Sequence, residues 1–225
     1  VNDDPLKVAY NDTNLVQRFL LVVFYLETHK SGDWTSCNAP NETHSEETCF
    51  FQQLIDVYPH RFRSVPAYRW MSGAHECEWA GIECEDEDLF VREIDLKAQQ
   101  LSGQLPTELT HLRFLQTLAI GWNSLSGSIP TEYGRMGHLV NFECHFNEFT
   151  GSIPDRWSEA KNLQSFNIAD NYLTGTIPTS IAEIVSLKGM VSISFETLLV
   201  TSETSAAFVS IIFVSCLSFR IVFLW

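Results

Sequence analysis

Apolar positions in the middle of the chain recur in a fixed register. Leu115, Leu118 and Ile120 are followed 24 residues on by Leu139, Phe142 and Cys144, and again by Leu163, Phe166 and Ile168. Within each copy the last two positions alternate with polar or small neighbours. That period of two predicts a short strand with one buried face. Asn123, Asn147 and Asn171 end the three copies, and Val91, Ile94, Leu96 and Gln99 form a degenerate earlier one. An amide at such a position predicts a buried ladder whose side chains satisfy backbone groups in the turn.

A second register keeps the same step. Gly103, Gly127, Gly151 and Gly175 recur every 24 residues, as do Pro106, Pro130, Pro154 and Pro178, within LSGQLP, LSGSIP, FTGSIP and LTGTIP. Glycine permits a tight backbone, and proline stops continued sheet pairing and begins the return leg. No unit of this size buries its apolar face alone, so neighbouring copies stack into a solenoid. Upstream, Phe19 to Leu26 (FLLVVFYL) is too short to span a bilayer and predicts a buried helix.

These residues resemble the plant-type leucine-rich repeat, LxxLxLxxNxLxGxIPxxLxxLxx, over residues 89–190. The stretch WMSGAHECEWAGIEC, with Trp70, Cys77, Trp79, Gly81 and Cys84, resembles that family's N-terminal cap, and residues 17–37 resemble the cap helix of algal, diatom-type members. The resemblance implies an α/β fold: a short right-handed solenoid with a concave parallel sheet and a helical, disulfide-bonded N-terminal cap. Three regions follow: a cap region over 1–88 with its motif at 70–84, repeats over 89–190, and an apolar tail over 191–225. Gln99 departs from the pattern where the first ladder asparagine belongs. After Met190 the repeat fails, with Ser192 and Phe195 at leucine and asparagine positions and no cysteine cap.

Of residues 206–225, 16 are apolar, and as a helix they would cross one bilayer core of about 30 Å. Three readings stand: a C-terminal anchor, a non-native gene end, and a lipid-anchor signal. At the other end the chain opens at Val1, so the expected true N-terminus lies upstream.

Six cysteines lie at 37, 49, 77, 84, 144 and 216, none in a CxxC. Cys37 with Cys49, and Cys77 with Cys84, would close short loops suited to disulfides, each contributing roughly 2.5–3 kcal/mol. That usage predicts an oxidising compartment. The acceptor sequons at Asn11 and Asn41 point the same way. Cys144 reads as a buried inert thiol. The net charge of −14 argues against nucleic acid and anionic lipid surfaces. Nine carboxylates between Glu76 and Asp95 lack calcium-loop spacing and read as a solvated acidic face.

No GxSxG, HExxH, P-loop or kinase signature occurs, and the histidines, His75 and His145 included, lack ligand spacing. The expectation is therefore a non-enzyme without cofactor or metal. Strand-out positions run Glu93, Asp95, Lys97, Ala98; Thr117, Ala119, Gly121, Trp122; Asn141, Glu143, His145, Phe146; and Ser165, Asn167, Ala169, Asp170. Trp122, Phe146, Glu143, His145, Asn167, Asp170 and Asp95 form the candidate ligand surface, on a concave sheet roughly 20 Å across. The function this predicts is an extracellular or membrane-anchored recognition module for a peptide, protein or glycan. Inhibition of a wall-degrading enzyme and a wall or adhesion scaffold are the alternatives.

Overall fold

The computed structural model describes residues 13–30, 34–39, 46–56, 61–85, 89–184, 186–187, 191–195, 211–212 and 219–223. The sequons at Asn11 and Asn41, and Cys216, lie outside them. The cap begins with helix α1 (Thr13–Thr28). Its buried residues, Gln17, Leu20, Leu21, Phe24, Tyr25 and Thr28, fall at the three- and four-residue steps of one helix face. That face meets three tryptophans. Trp34 and Trp70 rings lie 5.1 Å apart and Trp70 and Trp79 rings 5.5 Å apart, with Phe24 against the first two. The indole N–H groups of Trp34 and Trp70 donate to the carbonyls of Thr28 and Ala80, both at 2.9 Å.

The cap is helical only in part. Strands β1 (Thr48–Asp56) and β2 (Arg61–Tyr68) pair as an antiparallel hairpin that the apolar pattern does not announce. A disulfide joins Cys37 to Cys49 at its base, and a second joins Cys77 to Cys84 across β3 (Ile82–Cys84).

The repeats follow as strand, strand and 3₁₀ turn. Strands β4 (Val91–Asp95) and β5 (Ser102–Gln104) precede the turn Thr107–His111. The next copies hold β6 (Thr117–Ala119) with β7 (Ser124–Ser128), β8 (Asn141–Glu143) with β9 (Glu148–Ser152), and β10 (Ser165–Asn167) with β11 (Tyr172–Thr174). Strands β4, β6, β8 and β10 are parallel, each offset from the last by one 24-residue repeat, so Ile94, Leu118, Phe142 and Phe166 lie side by side, all buried. A second parallel sheet, β5-β7-β9-β11, lies on another side of the coil. The pattern had assigned its glycines and prolines only to a return leg. Between the sheets the 3₁₀ turns supply Leu109, Tyr133 and Trp157 to the core, and the Tyr133 hydroxyl donates to the Pro106 carbonyl at 2.9 Å.

Cap and solenoid meet closely. Gly103 has φ +109°, and a Cβ there would stand 2.1 Å from the Glu27 carbonyl oxygen at the end of α1. Only glycine accepts both the backbone angle and that approach. At the other end, β12 (Val191–Phe195) adds to β10, and β13 (Ile211–Ile212) and β14 (Phe219–Phe223) continue the sheet antiparallel. The described parts of 206–225 are thus strands, not the helix expected for an anchor; the rest lies outside the described residues. Among those residues no helix is long and apolar enough to cross a membrane.

The asparagine ladder is built as the spacing implies. Asn147 Nδ2 donates to the carbonyls of Ile120 and Cys144 at 2.9 and 3.0 Å, and its Oδ1 accepts from the Leu125 N–H at 2.9 Å. Asn147→Ala therefore strands a buried N–H and two carbonyls, and should lower unfolding free energy by about 1–3 kcal/mol or more. Glu143→Ala, half-buried on the outer face, should stay within about 0.5 kcal/mol of the parent. Equal shifts in denaturant midpoint would refute this assignment of inner and outer faces.

Candidate functional site

The outer face of the concave sheet carries two rows. Glu93, Thr117, Asn141 and Ser165 form one, and Asp95, Ala119, Glu143 and Asn167 the other. Beyond the strands the ladder continues into a turn, where Ala98, Trp122, Phe146 and Asp170 all have positive φ, between 51° and 61°. This left-handed conformation is uncommon for bulky residues, and each repeat imposes it at the same step. The Trp122 N–H donates to the His145 carbonyl and the Phe146 N–H to the Ala169 carbonyl, at 2.9 and 3.0 Å, which fixes the turns in register.

Register makes Trp122 and Phe146 neighbours. Their rings stack with centroids 3.8 Å apart and planes within 19°. Both are half-buried, so Trp122 is not the fully solvent-facing residue that strand alternation implies. Such a stack is worth about 0.5–1.5 kcal/mol beyond area burial and offsets part of the turn's conformational cost.

His145 departs further from expectation. It is 8% exposed and stands edge-on to Trp122 and Phe146, at 6.1 and 5.8 Å. Its ring occupies the space over Gly121, where a Cβ would come within 2.6 Å of it. His145 is therefore a support beneath the aromatic pair, not a ligand-facing group. Ala119, Gly121 and Ala169, also assigned outward, are buried beside it. Cys144, in the core row, is a fully buried free thiol whose pKa is raised by burial.

Beside the aromatic pair lie Asp170, one repeat on from Phe146, and the adjacent Glu143 and Asn167, all half-buried. Asn167 Oδ1 accepts from the Ala169 N–H at 3.3 Å, and Asp95 Oδ1 from the Lys97 N–H at 3.4 Å, so both also hold their own turns. Asp95 stands apart. Ala119 separates it from Glu143, and it belongs with Glu83, Glu93 and Lys97 at the cap end; Lys97 Nζ lies 3.2 Å from its carboxylate. Sequence order places all seven candidates on one face; the structure divides them into an aromatic centre and an acidic end.

That acidic end has an electrostatic signature. The Glu93 carboxyl is held above the ordinary glutamate value, first by burial and then by Glu83, Asp95 and Glu143, against Lys97. An acid whose folded pKa is raised contributes stability while protonated and loses it as pH rises through the folded value. Glu93→Gln should therefore raise the melting temperature at neutral pH, and the gain should vanish below the ordinary value of 4.5. A gain of the same size at both pH values, or none, would contradict this account of burial and like charge.

The Leucine Rich Repeat family model matches residues 162–184. Among solved structures, PEPR1-AtPEP1 is 29% identical, covering 58% of this chain and 18% of that one, with TM-score 0.52. A plant ice-binding protein is 25% identical over 53% of this chain and 39% of that one, with TM-score 0.51. The ectodomain of the plant membrane receptor kinase GASSHO1/SCHENGEN3 from Arabidopsis thaliana, in complex with CASPARIAN STRIP INTEGRITY FACTOR 2, shares the fold at 20% identity. It covers 82% of this chain and 21% of that one, with TM-score 0.53. The chain spans between 18% and 64% of the lengths of these proteins and of the BIR3 - SERK2 and BIR2 matches. With a repeat of this period, an asparagine ladder and a second sheet beside the concave one, the chain has the fold of plant-type leucine-rich-repeat proteins.

Proposed function

We propose that this chain is an extracellular recognition module that binds a peptide, protein or glycan through its concave face and performs no chemistry of its own. The observation that carries this reading is the Trp122–Phe146 stack, a rigid aromatic platform flanked by Asp170, Glu143 and Asn167. Aromatic anchors beside amides and carboxylates suit a short ligand whose contact is partly stacking and partly hydrogen bonding. Two disulfides in the cap support an oxidising, extracellular setting. The likeness to PEPR1 with AtPEP1 supports a peptide or protein over a glycan. A membrane-attached form, held through 206–225, is the finer version of this reading; detergent-dependent solubility would separate it from a secreted one.

The test is a panel of immobilised peptides and oligosaccharides, followed by titration of whichever binds. Trp122→Ala should weaken that binder by about 1–3 kcal/mol, the range for a buried aromatic anchor. Phe146→Leu should do so partially, and Glu159→Ala, on a 3₁₀ turn, should not. Because the stack also supports the turn, each variant is compared at a temperature well below its own melting point. Parent-like binding by Trp122→Ala removes the concave face from consideration. A stoichiometric loss of wall-hydrolase activity would instead favour an inhibitor, and salt-resistant association with wall material a scaffold.

The second sheet supports a different reading. Ser128 pairs with Thr150 and Ser152 with Thr174 across neighbouring strands of this sheet, all four exposed. Parallel pairing sets the partners of each pair about 4.8 Å apart, giving a stepped array of hydroxyls. With the likeness to an ice-binding protein, this array is the surface that would meet ice. Purified chain should then depress the freezing point without changing the melting point, and Thr150→Lys should abolish the gap. An unchanged gap in Thr150→Lys, or no gap in the parent, removes this reading.

A further inference from the structure

The hairpin β1–β2 and strand β3 stand on either side of a groove of about 610 Å³. Gln53, Arg63 and Val65 line it from the hairpin, and Trp79, Glu83 and Asp95 from the solenoid side. Asp95 also belongs to the outer row of the concave sheet, so groove and concave face are continuous there. Glu83 sits opposite Glu93 in the β3–β4 pairing, and Glu78 adds another carboxylate to the groove wall. The two cations nearby are already engaged. Lys97 lies 3.2 Å from Asp95, and Arg63 donates to the Gln53 side-chain oxygen at 2.8 Å. Glu78, Glu83 and Glu93 have no cation within ion-pair distance among the described residues. A separate observation concerns the wall itself. Trp79 is 1% exposed, and its indole Nε1 is buried with no hydrogen-bond partner among the described residues. It is a donor without the acceptor that buried indoles normally find.

We propose that this groove docks an extended cationic segment of a peptide ligand, with lysine or arginine side chains against Glu78 and Glu83 and toward Asp95 at its concave end. The assignment rests on the concave-face reading and names the chemistry of the ligand at its cap end. Three features point to this occupant. Glu78 and Glu83, which line the groove without a cation at ion-pair distance among the described residues, select positive charge. Both walls are extended strands, and β3 is the edge of its sheet among the described residues, so a chain lying between them is best accommodated extended. Val65 and the Trp79 indole supply apolar wall and a spare donor, which suits alternating apolar and cationic side chains with a carbonyl toward the indole.

The experiment uses the full chain and a short fluorescein-labelled peptide alternating lysine and leucine, with a glutamate-for-lysine peptide as control, read by fluorescence anisotropy. The lysine peptide should bind and the glutamate peptide should not. Glu83→Gln combined with Asp95→Asn, which keeps the side-chain acceptor for the Lys97 N–H, should weaken binding about tenfold or more. Glu108→Gln combined with Glu132→Gln, both exposed on 3₁₀ turns, should change it less than about twofold. Equal weakening by both pairs would mean general attraction to an acidic chain, and would overturn the proposal, as would failure of the lysine peptide to bind. Trp122→Ala, measured against the panel binder, separates the two readings. Loss there, with no effect of the Glu83/Asp95 pair on the lysine peptide, removes the groove and leaves the concave face. Loss with the Glu83/Asp95 pair alone removes the concave anchor and leaves the groove.

Discussion

The fold depends on satisfying the backbone where the chain leaves one sheet and turns toward the next. At that corner carbonyls face the core, where no water reaches them. Each ladder asparagine answers two repeats at once. Asn123 donates to Leu96 and Ile120, Asn147 to Ile120 and Cys144, and Asn171 to Cys144 and Ile168, in each case one repeat back and its own. Their oxygens accept the N–H groups of Leu101, Leu125 and Phe149, again one repeat back. Closing the turn and docking the neighbour are therefore one interaction. That coupling gives a solenoid of such small units its cooperativity.

A ladder of this kind has an unsolved first member, and the cap solves it with longer amides. Gln99 stands where the first asparagine would, and no earlier repeat offers a carbonyl. Its extra methylene lets Nε2 reach the Gln52 carbonyl in β1 at 2.7 Å, while its Oε1 accepts from the Ser36 hydroxyl at 2.8 Å. Gln17 of α1 works similarly on the other side of β4. Its Oε1 accepts from the Val91 N–H at 2.7 Å, and its Nε2 donates to the Leu89 carbonyl and to the buried Glu76 carboxylate, both at 3.0 Å. What the repeat pattern presents as a defect at Gln99 is the joint between cap and solenoid.

The parts legible in the sequence are those set by period. Strand faces, the ladder and the cap helix all follow from spacing, because each is a local geometry repeated. The hairpin β1–β2 was not legible. Of residues 48–55 of β1 only Phe51 and Leu54 are buried, Phe50 and Ile55 are exposed, and Phe51 packs against Gly81, which no local rule anticipates. The second sheet escapes the pattern because its strands are only three to five residues long, rich in serine and glycine, and defined by their neighbours. His145 was assigned outward by alternation. It is buried because a glycine one repeat earlier leaves room for its ring. Strand alternation describes a single strand; burial here depends on the adjoining one.

The same dependence explains where recognition can vary without harm to the fold. The left-handed turn position after each strand bears alanine at 98, tryptophan at 122, phenylalanine at 146 and aspartate at 170, and at the first three a backbone bond to the next copy holds it whatever the side chain. Core positions one step away tolerate no such range, because Phe142, Trp157 and Phe166 fill one another's gaps at centroid distances of 4.6 to 5.9 Å. A position whose backbone is fixed whichever side chain it bears presents chosen chemistry with little ordering cost on binding. In this chain that freedom places two aromatics side by side at the centre of the concave face and leaves the uncompensated carboxylates to the cap end.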